Sequence, residues 1–195
     1  KQARRPVIIA GNGTIRRRAS GQLRQLCQNT GIGVISTFMA KGCVSMESDF
    51  CLYTIGLQQA DQLSVHVADS DLVMTVGYDM AEYPPRLWNY HGDKPIVHID
   101  FEPAEIDAHY HPDVEVIGDI AGILEALSDR LGPADCPDVD LDRQAETRRV
   151  MQADFAEYRD DDTEGRIRPQ KVLWDVRQQL GPADLLLCGV GAHKM

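Results

Sequence analysis

Short apolar segments alternate along the chain with segments whose apolar residues recur every three or four positions. Apolar residues at helical spacing predict helices around residues 19–30, 63–67 and 120–131, the last capped by Asp119. Strands that alternate with helices are typical of a parallel sheet covered on both faces. We therefore predict an α/β fold with a doubly wound, mostly parallel six-stranded sheet. The apolar segments that we predict as its strands are 6–10, 33–37, 72–76, 96–100 and 114–117.

The pattern changes after Gly132-Pro133, so we predict a first domain, nucleotide-binding-like in its pattern, over residues 1–133. Residues 134–168 are interpreted as a linker, because they begin rich in Pro and Asp and then form a charged helix from about 143 to 158. Pro169 stands at a favoured first-turn position for a new helix. Residues 185–188 then form a predicted strand, which makes residues 169–195 the truncated beginning of another α/β domain. Residues 41–59 show no clear period and are predicted to form a long loop with a short helix.

Glycine, threonine or aspartate follows several of the predicted strands, at the edge where open α/β sheets bind ligands. Glycine lets backbone amides approach a phosphate, and an aspartate can accept hydrogen bonds from ribose hydroxyls. The alternative is that these residues only form turns, since the segment at residues 11–16 lacks the third glycine of the usual fingerprint. We predict a dinucleotide site, active or vestigial, made by Gly11, Gly13, Thr37, Gly77, Asp100 and Asp119.

Composition limits the classes of partner. The formal net charge of −10 disfavours binding to nucleic acid or to an anionic membrane. The five cysteines show no CxxC spacing, which argues against a disulfide framework or a zinc site and favours reduced thiols. No apolar stretch approaches the roughly 20 residues of a membrane span. We expect a cytoplasmic protein with no metal ligands in this sequence, excised from a longer chain.

Several segments resemble acetolactate synthases of the thiamine-diphosphate enzyme superfamily. Thr37-Phe38-Met39-Ala40-Lys41-Gly42 is similar to that family's Thr-x-Met-x-Lys-Gly segment. Val190-Gly191-Ala192-His193 is similar to the opening of its diphosphate-binding domain. The longest matching segments are residues 69–79, 82–85, 96–107 and 114–120.

The resemblance implies that residues 1–133 are the central domain and that 169–195 begin the C-terminal thiamine-diphosphate-binding domain. It implies that Gly191, Ala192 and His193 contact thiamine diphosphate. The parent enzyme would use thiamine diphosphate and Mg²⁺ to join pyruvate to a second 2-oxo acid with decarboxylation, as a homodimer or tetramer. The activating glutamate and the Gly-Asp-Gly…Asn magnesium motif belong to the missing N- and C-terminal domains. We therefore expect the chain alone to be inactive, and no catalytic residue is assigned in it.

FAD is possible but disfavoured by the same resemblance. Biosynthetic members of the family bind FAD through Gly-Ala-Arg-Phe-Asp-Asp-Arg and Leu-Gly-Met-His-Gly segments. The counterparts here, residues 77–83 and 55–59, lack the arginines and carry Asp79 and Glu82, as in the FAD-independent catabolic branch. Whether the pathway makes branched-chain amino acids or acetoin stays open. The alternatives are another thiamine-diphosphate carboligase or decarboxylase, a stand-alone FAD- or NAD-binding module, and a spacer with a vestigial ligand edge.

Overall fold

A computed structural model describes residues 3–56, 62–136, 138–160, 165, 167–181 and 183–187. The chain divides into two compact units, Lys1–Arg148 and Arg149–Met195. The first unit extends beyond residue 133, where the sequence pattern places the end of the central domain.

The first unit contains a six-stranded sheet in which every strand is parallel to its neighbours. The strand order is β3-β2-β1-β4-β5-β6. The predicted doubly wound α/β fold with a six-stranded sheet is therefore confirmed, although the sequence located only five of the six strands. The strands are β1 (Pro6–Ala10), β2 (Gly33–Ser36), β3 (Cys51–Thr54), β4 (Leu72–Val76), β5 (Ile96–Asp100) and β6 (Val114–Ile117).

Strand β3 lies inside residues 41–59, which were predicted to form a loop, so that prediction is wrong at this strand. The strand has only four residues, and its register with β2 shifts between Val34 and Ser36. Its residue Tyr53 has a φ of 70°, a backbone conformation that is unusual for a bulky side chain. Pairing with β2, rather than any local pattern, stabilises this irregular edge strand.

Six α-helices and three short 3₁₀ turns connect and follow the described strands. The 3₁₀ turns are Phe38–Ala40, Pro85–Leu87 and Pro133–Asp135. Asp119 caps α4 as predicted, because its Oδ2 accepts a hydrogen bond of 2.9 Å from the amide of Gly122. The helices are α1 (Asn12–Arg16), α2 (Ser20–Thr30), α3 (Gln62–Ala68), α4 (Ile120–Ser128), α5 (Leu141–Arg159) and α6 (Pro169–Gln179).

The core lies on both faces of the sheet. On one face α2 and α4 pack against each other, and Leu23 and Leu124 join Ile8 of β1 in one buried cluster. Ile9 is also fully buried and points to the opposite face, because side chains alternate along a strand. The connections β1–β2 and β3–β4 run in opposite directions across the sheet. Right-handed crossovers therefore place α2 and α3 on opposite faces.

The four described cysteines are free, and Cys27, Cys43 and Cys51 are buried, as expected for reduced thiols. Burial raises the pKa of Cys43 to about 11. No helix in the part of the chain that the structure describes is long and apolar enough to cross a membrane.

In the second unit, α6 begins at Pro169 as predicted. The predicted strand at 185–188 is wrong over residues 185–187, which are not in a strand, and Leu185 and Leu187 are 87% and 90% exposed. A strand is stable only when its backbone groups pair with a neighbour, and the described residues of this unit supply none. Cys188 lies outside the described residues.

Candidate functional site

The order of the strands reverses between β1 and β4, and such a switch point is where open parallel sheets bind ligands. Gly11 and Gly13 follow β1 at this point, and Gly77 follows β4. The amide of Gly11 donates to the carbonyl of Val76 at 2.9 Å, and the amide of Gly13 donates to the carbonyl of Gly77 at 2.8 Å. Both amides are therefore already paired and are not free to bind a phosphate.

Glycine is needed at these three positions because the two loops touch backbone to backbone. A Cβ on Gly11 would lie 2.6 Å from the Cα of Tyr78, and a Cβ on Gly13 would lie 2.6 Å from the Cα of Gly77. Gly77 also has a φ of 58°, which L side chains rarely adopt. The structure favours the alternative in which these glycines form a packed turn, since the loops touch backbone to backbone and the amides of Gly11 and Gly13 are paired.

The side chain of Glu82, in the loop after β4, reaches across the end of β1 to Thr37, which follows β2. The amide of Thr37 donates to the carbonyl of Ala10 at 2.9 Å, and the Thr37 hydroxyl donates to Oε2 of Glu82. Oε1 of Glu82 is buried and has no hydrogen-bond partner among the described residues. The sequence placed Glu82 in the counterpart of a flavin segment, but no local signal pairs it with a residue 45 positions away. A carboxylate at this point opposes the approach of a phosphate.

The open space at this edge is a cleft of about 280 Å³ between α1 and the loops that follow β4 and β5. Its volume is at the lower end of ligand pockets, which hold drug-sized molecules from roughly 300 Å³ upward. Four of the described lining residues are carboxylates, whereas Arg16 is the one Arg or Lys among them. The lining consists of Asn12, Gly13, Arg16, Gly77, Tyr78, Asp79, Met80, His98, Asp100, Phe101, Glu102, Pro103, Glu105 and Tyr110.

The floor of the cleft is a chain of hydrogen bonds between buried side chains. Nε2 of His98 lies 3.2 Å from the carbonyl of Glu102, which can only accept, so in the neutral ring Nε2 carries the proton. Nδ1 then accepts from the Tyr110 hydroxyl at 2.8 Å, and that hydroxyl accepts from Thr75 at 2.6 Å. Burial raises the pKa of Tyr110 well above its ordinary value. These groups are mutually satisfied, which makes the floor rigid.

Asp100 supplies the most buried carboxylate of the cleft. The residue is 7% exposed, and its Oδ1 accepts a hydrogen bond of 2.7 Å from the amide of Phe101. Burial raises the pKa of Asp100, and the Phe101 amide opposes that shift. Beside it, the guanidinium of Arg17 lies 3.8 Å from the centroid of the Phe101 ring, a cation–π contact.

A family model described as "Thiamine pyrophosphate enzyme, central domain" matches residues 1–127. The chain belongs to this family. The resemblance inferred from the sequence is therefore confirmed, and the parallel sheet is the fold expected for such a central domain.

Curated relatives of this thiamine pyrophosphate enzyme domain are named acetolactate synthases. One from Bacillus subtilis (strain 168) is 28% identical over 98% of this chain and 34% of its own length. One from Mycobacterium leprae (strain TN) is 28% identical over 99% of this chain and 31% of its own length. A probable acetolactate synthase large subunit from Methanocaldococcus jannaschii is 28% identical over 100% of this chain and 34% of its own length. The chain thus spans about a third of the length of these relatives.

The predicted site residues of the chain separate into three groups. Gly13, Gly77 and Asp100 line the cleft, with Gly11 beside them in the packed turn. Thr37 binds Glu82 instead, and Asp119 caps α4. Gly191, Ala192 and His193 lie outside the described residues. Among the described residues, no group of three or more His, Cys, Asp or Glu side chains is arranged to hold a metal ion.

The cleft offers acceptors for hydrogen bonds and a rigid aromatic floor, but it offers little positive charge. A dinucleotide carries a diphosphate, which needs cations or free amides to bind. The paired amides of the glycine turn and the four carboxylates supply neither, and Arg16 is the one Arg or Lys in the described lining, so these residues are a poor fit for the diphosphate of FAD.

Proposed function

We propose that the chain is the central domain, with the beginning of the C-terminal domain, of an acetolactate synthase. The parent enzyme joins pyruvate to a second 2-oxo acid with loss of CO₂. The observation that carries this proposal is the alignment of acetolactate synthases with 98–100% of the chain, although the chain covers only 31–34% of each. Other thiamine-diphosphate carboligases share the scaffold, and fold alone does not choose among them.

Thiamine diphosphate and Mg²⁺ are the proposed cofactors of the parent enzyme. Gly191, Ala192 and His193 are proposed to contact the thiamine diphosphate, on the support of the sequence resemblance. Backbone amides after a strand and a histidine side chain are suitable donors to diphosphate oxygens. When bound, the cofactor would supply the nucleophilic carbon for 2-oxo acid decarboxylation. A homodimer or tetramer is proposed for the parent enzyme on the same support.

The role proposed for residues 1–133 is that of a spacer whose ligand edge is vestigial, without FAD. Paired amides at Gly11 and Gly13 support this role, as does the carboxylate of Glu82 over β1. The acidic lining of the cleft supports it further, because like charges repel the diphosphate of a dinucleotide.

Pyruvate consumption tests the proposed function. The purified chain with thiamine diphosphate and Mg²⁺ should consume no pyruvate, since the family's activating glutamate belongs to a domain that this sequence lacks. The full-length protein that carries this segment should consume pyruvate and release acetolactate under the same conditions. Robust turnover by the 195-residue chain, or a full-length protein without acetolactate as product, would overturn the proposal.

A further inference from the structure

The first two turns of α5 carry four polar side chains that reach back to the sheet unit: Arg143, Gln144, Thr147 and Arg148. Their spacing along the sequence places them on one face of the helix. This set is called the clasp below. All of its contacts lie within the first compact unit.

One side of the clasp binds the backbone around β2 and β3. Gln144 is 6% exposed, and its Nε2 donates to the carbonyl of Gly31 at 3.0 Å. A Cβ on Gly33 would lie 2.5 Å from Oε1 of Gln144, so glycine at that position makes room for the side chain. Arg148 donates to the carbonyl of Cys51 in β3.

The other side of the clasp meets His66, a residue of α3 that is 3% exposed. Nη1 of Arg143 lies 3.2 Å from Nε2 of His66, and Nη2 donates to the backbone carbonyl of His66. A guanidinium can only donate, so Nε2 has to be an unprotonated acceptor. Nδ1 then carries the proton and donates to the hydroxyl of Thr147 at 2.7 Å. The Thr147 hydroxyl in turn donates to the carbonyl of Arg143 at 3.1 Å.

The geometry of the clasp therefore requires a neutral His66. Burial lowers the pKa of His66, and the facing guanidinium of Arg143 lowers it further, while Asp69 and Asp140 oppose the shift, with a result of about 4. Asp69 also forms an ion pair with Arg143, at 3.9 Å between Oδ2 and Nη2. Arg5 and Asp71 act on the same guanidinium.

We propose that His66 makes the clasp sensitive to pH. The neutral ring holds the first two turns of α5 on α3, and protonation of the ring releases them. A proton on Nε2 removes the acceptor and sets one cation against another. The pKa in the folded state lies below the ordinary value of 6.5. The stabilisation by the clasp is therefore complete above pH 6.5 and is lost as the pH falls towards about 4.

Two measurements on the 195-residue chain test the clasp. Nuclear magnetic resonance gives the pKa of His66, which should lie well below 6.5 and should rise by about one unit or more in Arg143→Met. Hydrogen exchange of the amides at residues 144–148, corrected for intrinsic rates, should show at least a tenfold loss of protection (about one pK unit of linkage) as the pH falls to about 4. The amides of β1 serve as the reference for global unfolding.

His66→Gln supplies the decisive comparison, because glutamine keeps an acceptor near the position of Nε2 but does not titrate. Its protection at residues 144–148 should stay nearly constant over the same pH range. His91→Gln, a change at an exposed histidine outside the clasp, should behave like the unaltered chain. Equal acid sensitivity in His66→Gln and the unaltered chain would refute the proposal. If His66→Gln does not fold, a His66 that titrates near 6.5 in the unaltered chain refutes it instead.

Discussion

At the scale of single residues, the three glycines at the switch point show how one residue type serves two different needs. A Gly-x-Gly after a first strand usually indicates a phosphate loop. Here Gly11 and Gly13 give close backbone contact with Gly77, and both amides bind carbonyl groups of the neighbouring segment. The residue type is the same in both cases, but the acceptor is a peptide carbonyl rather than a phosphate.

Gly77→Ala should destabilise the chain more than Gly42→Ala. Both glycines have a positive φ, 58° and 90°, so alanine at either position costs about 1–2 kcal/mol of backbone strain. A Cβ on Gly77 would also lie 2.6 Å from the Cα of Gly13, whereas nothing lies within 4 Å at Gly42. We expect a further loss of about 1–3 kcal/mol in the free energy of unfolding for Gly77→Ala. Urea denaturation measures both variants, and equal losses would show that the loop contact contributes nothing.

At the scale of the elements, the main difference between the sequence pattern and the structure concerns the first turns of α5. Its charged, weakly amphipathic sequence was interpreted as linker from residue 134 onward. In the structure its first turns belong to the sheet unit through the clasp, and the compact unit ends at Arg148. Polar side chains that bind backbone carbonyls leave no apolar stripe, and therefore periodicity in the sequence does not indicate this docking.

A chain that ends at Arg148 should be more stable than one that ends at Pro133. The shorter chain loses the hydrogen bonds of Gln144 to Gly31 and of Arg148 to Cys51, together with the contacts at His66. At about 1 kcal/mol for each bond, the free energy of unfolding should fall by roughly 2–5 kcal/mol. Denaturant unfolding of the two chains gives the difference, and Gln144→Ala in the longer chain isolates one bond. The same stability for both chains would place the end of the unit at residue 133.

At the scale of the whole molecule, charge and topology act in opposite directions. The order of the strands is one that binds dinucleotides in other proteins, and the cleft lies at the expected edge. The chain nevertheless carries a net charge of −10, and the described lining of the cleft also has more carboxylates than cationic side chains. The fold alone therefore does not imply a nucleotide ligand, and the groups on the sheet edge decide the matter.

The chain should remain colourless after incubation with FAD and gel filtration. Glu82→Gln removes one charge near β1 but leaves the amides of Gly11 and Gly13 paired, so this variant should also bind no flavin. Absorbance in the visible flavin band, with a known flavoprotein treated in parallel, provides the measurement. If the unaltered chain were yellow and released FAD on denaturation, the proposal that its ligand edge is vestigial would be wrong. If only Glu82→Gln were yellow, the carboxylate of Glu82 would be the group that prevents FAD from binding.

The elements whose signals are local could be predicted from the sequence. Strands β1, β2, β4, β5 and β6 follow from short apolar segments, and α4 follows from its apolar stripe together with the cap at Asp119. Local patterns suffice there because a short apolar segment, an apolar stripe and the capping of the first-turn amides all depend on residues close in sequence. The family could also be inferred from the sequence, because each matching segment is a continuous stretch of residues.

Features that join residues distant in the sequence could not be predicted from local patterns. Strand β3 forms by pairing with β2. Thr37 binds Glu82, 45 positions away, and Arg143 contacts His66, 77 positions away. Each of these contacts depends on which strand or helix becomes a neighbour in the sheet unit. That choice follows from packing of the whole chain, because the free energy of a buried polar group is set by the partners that the fold brings to it.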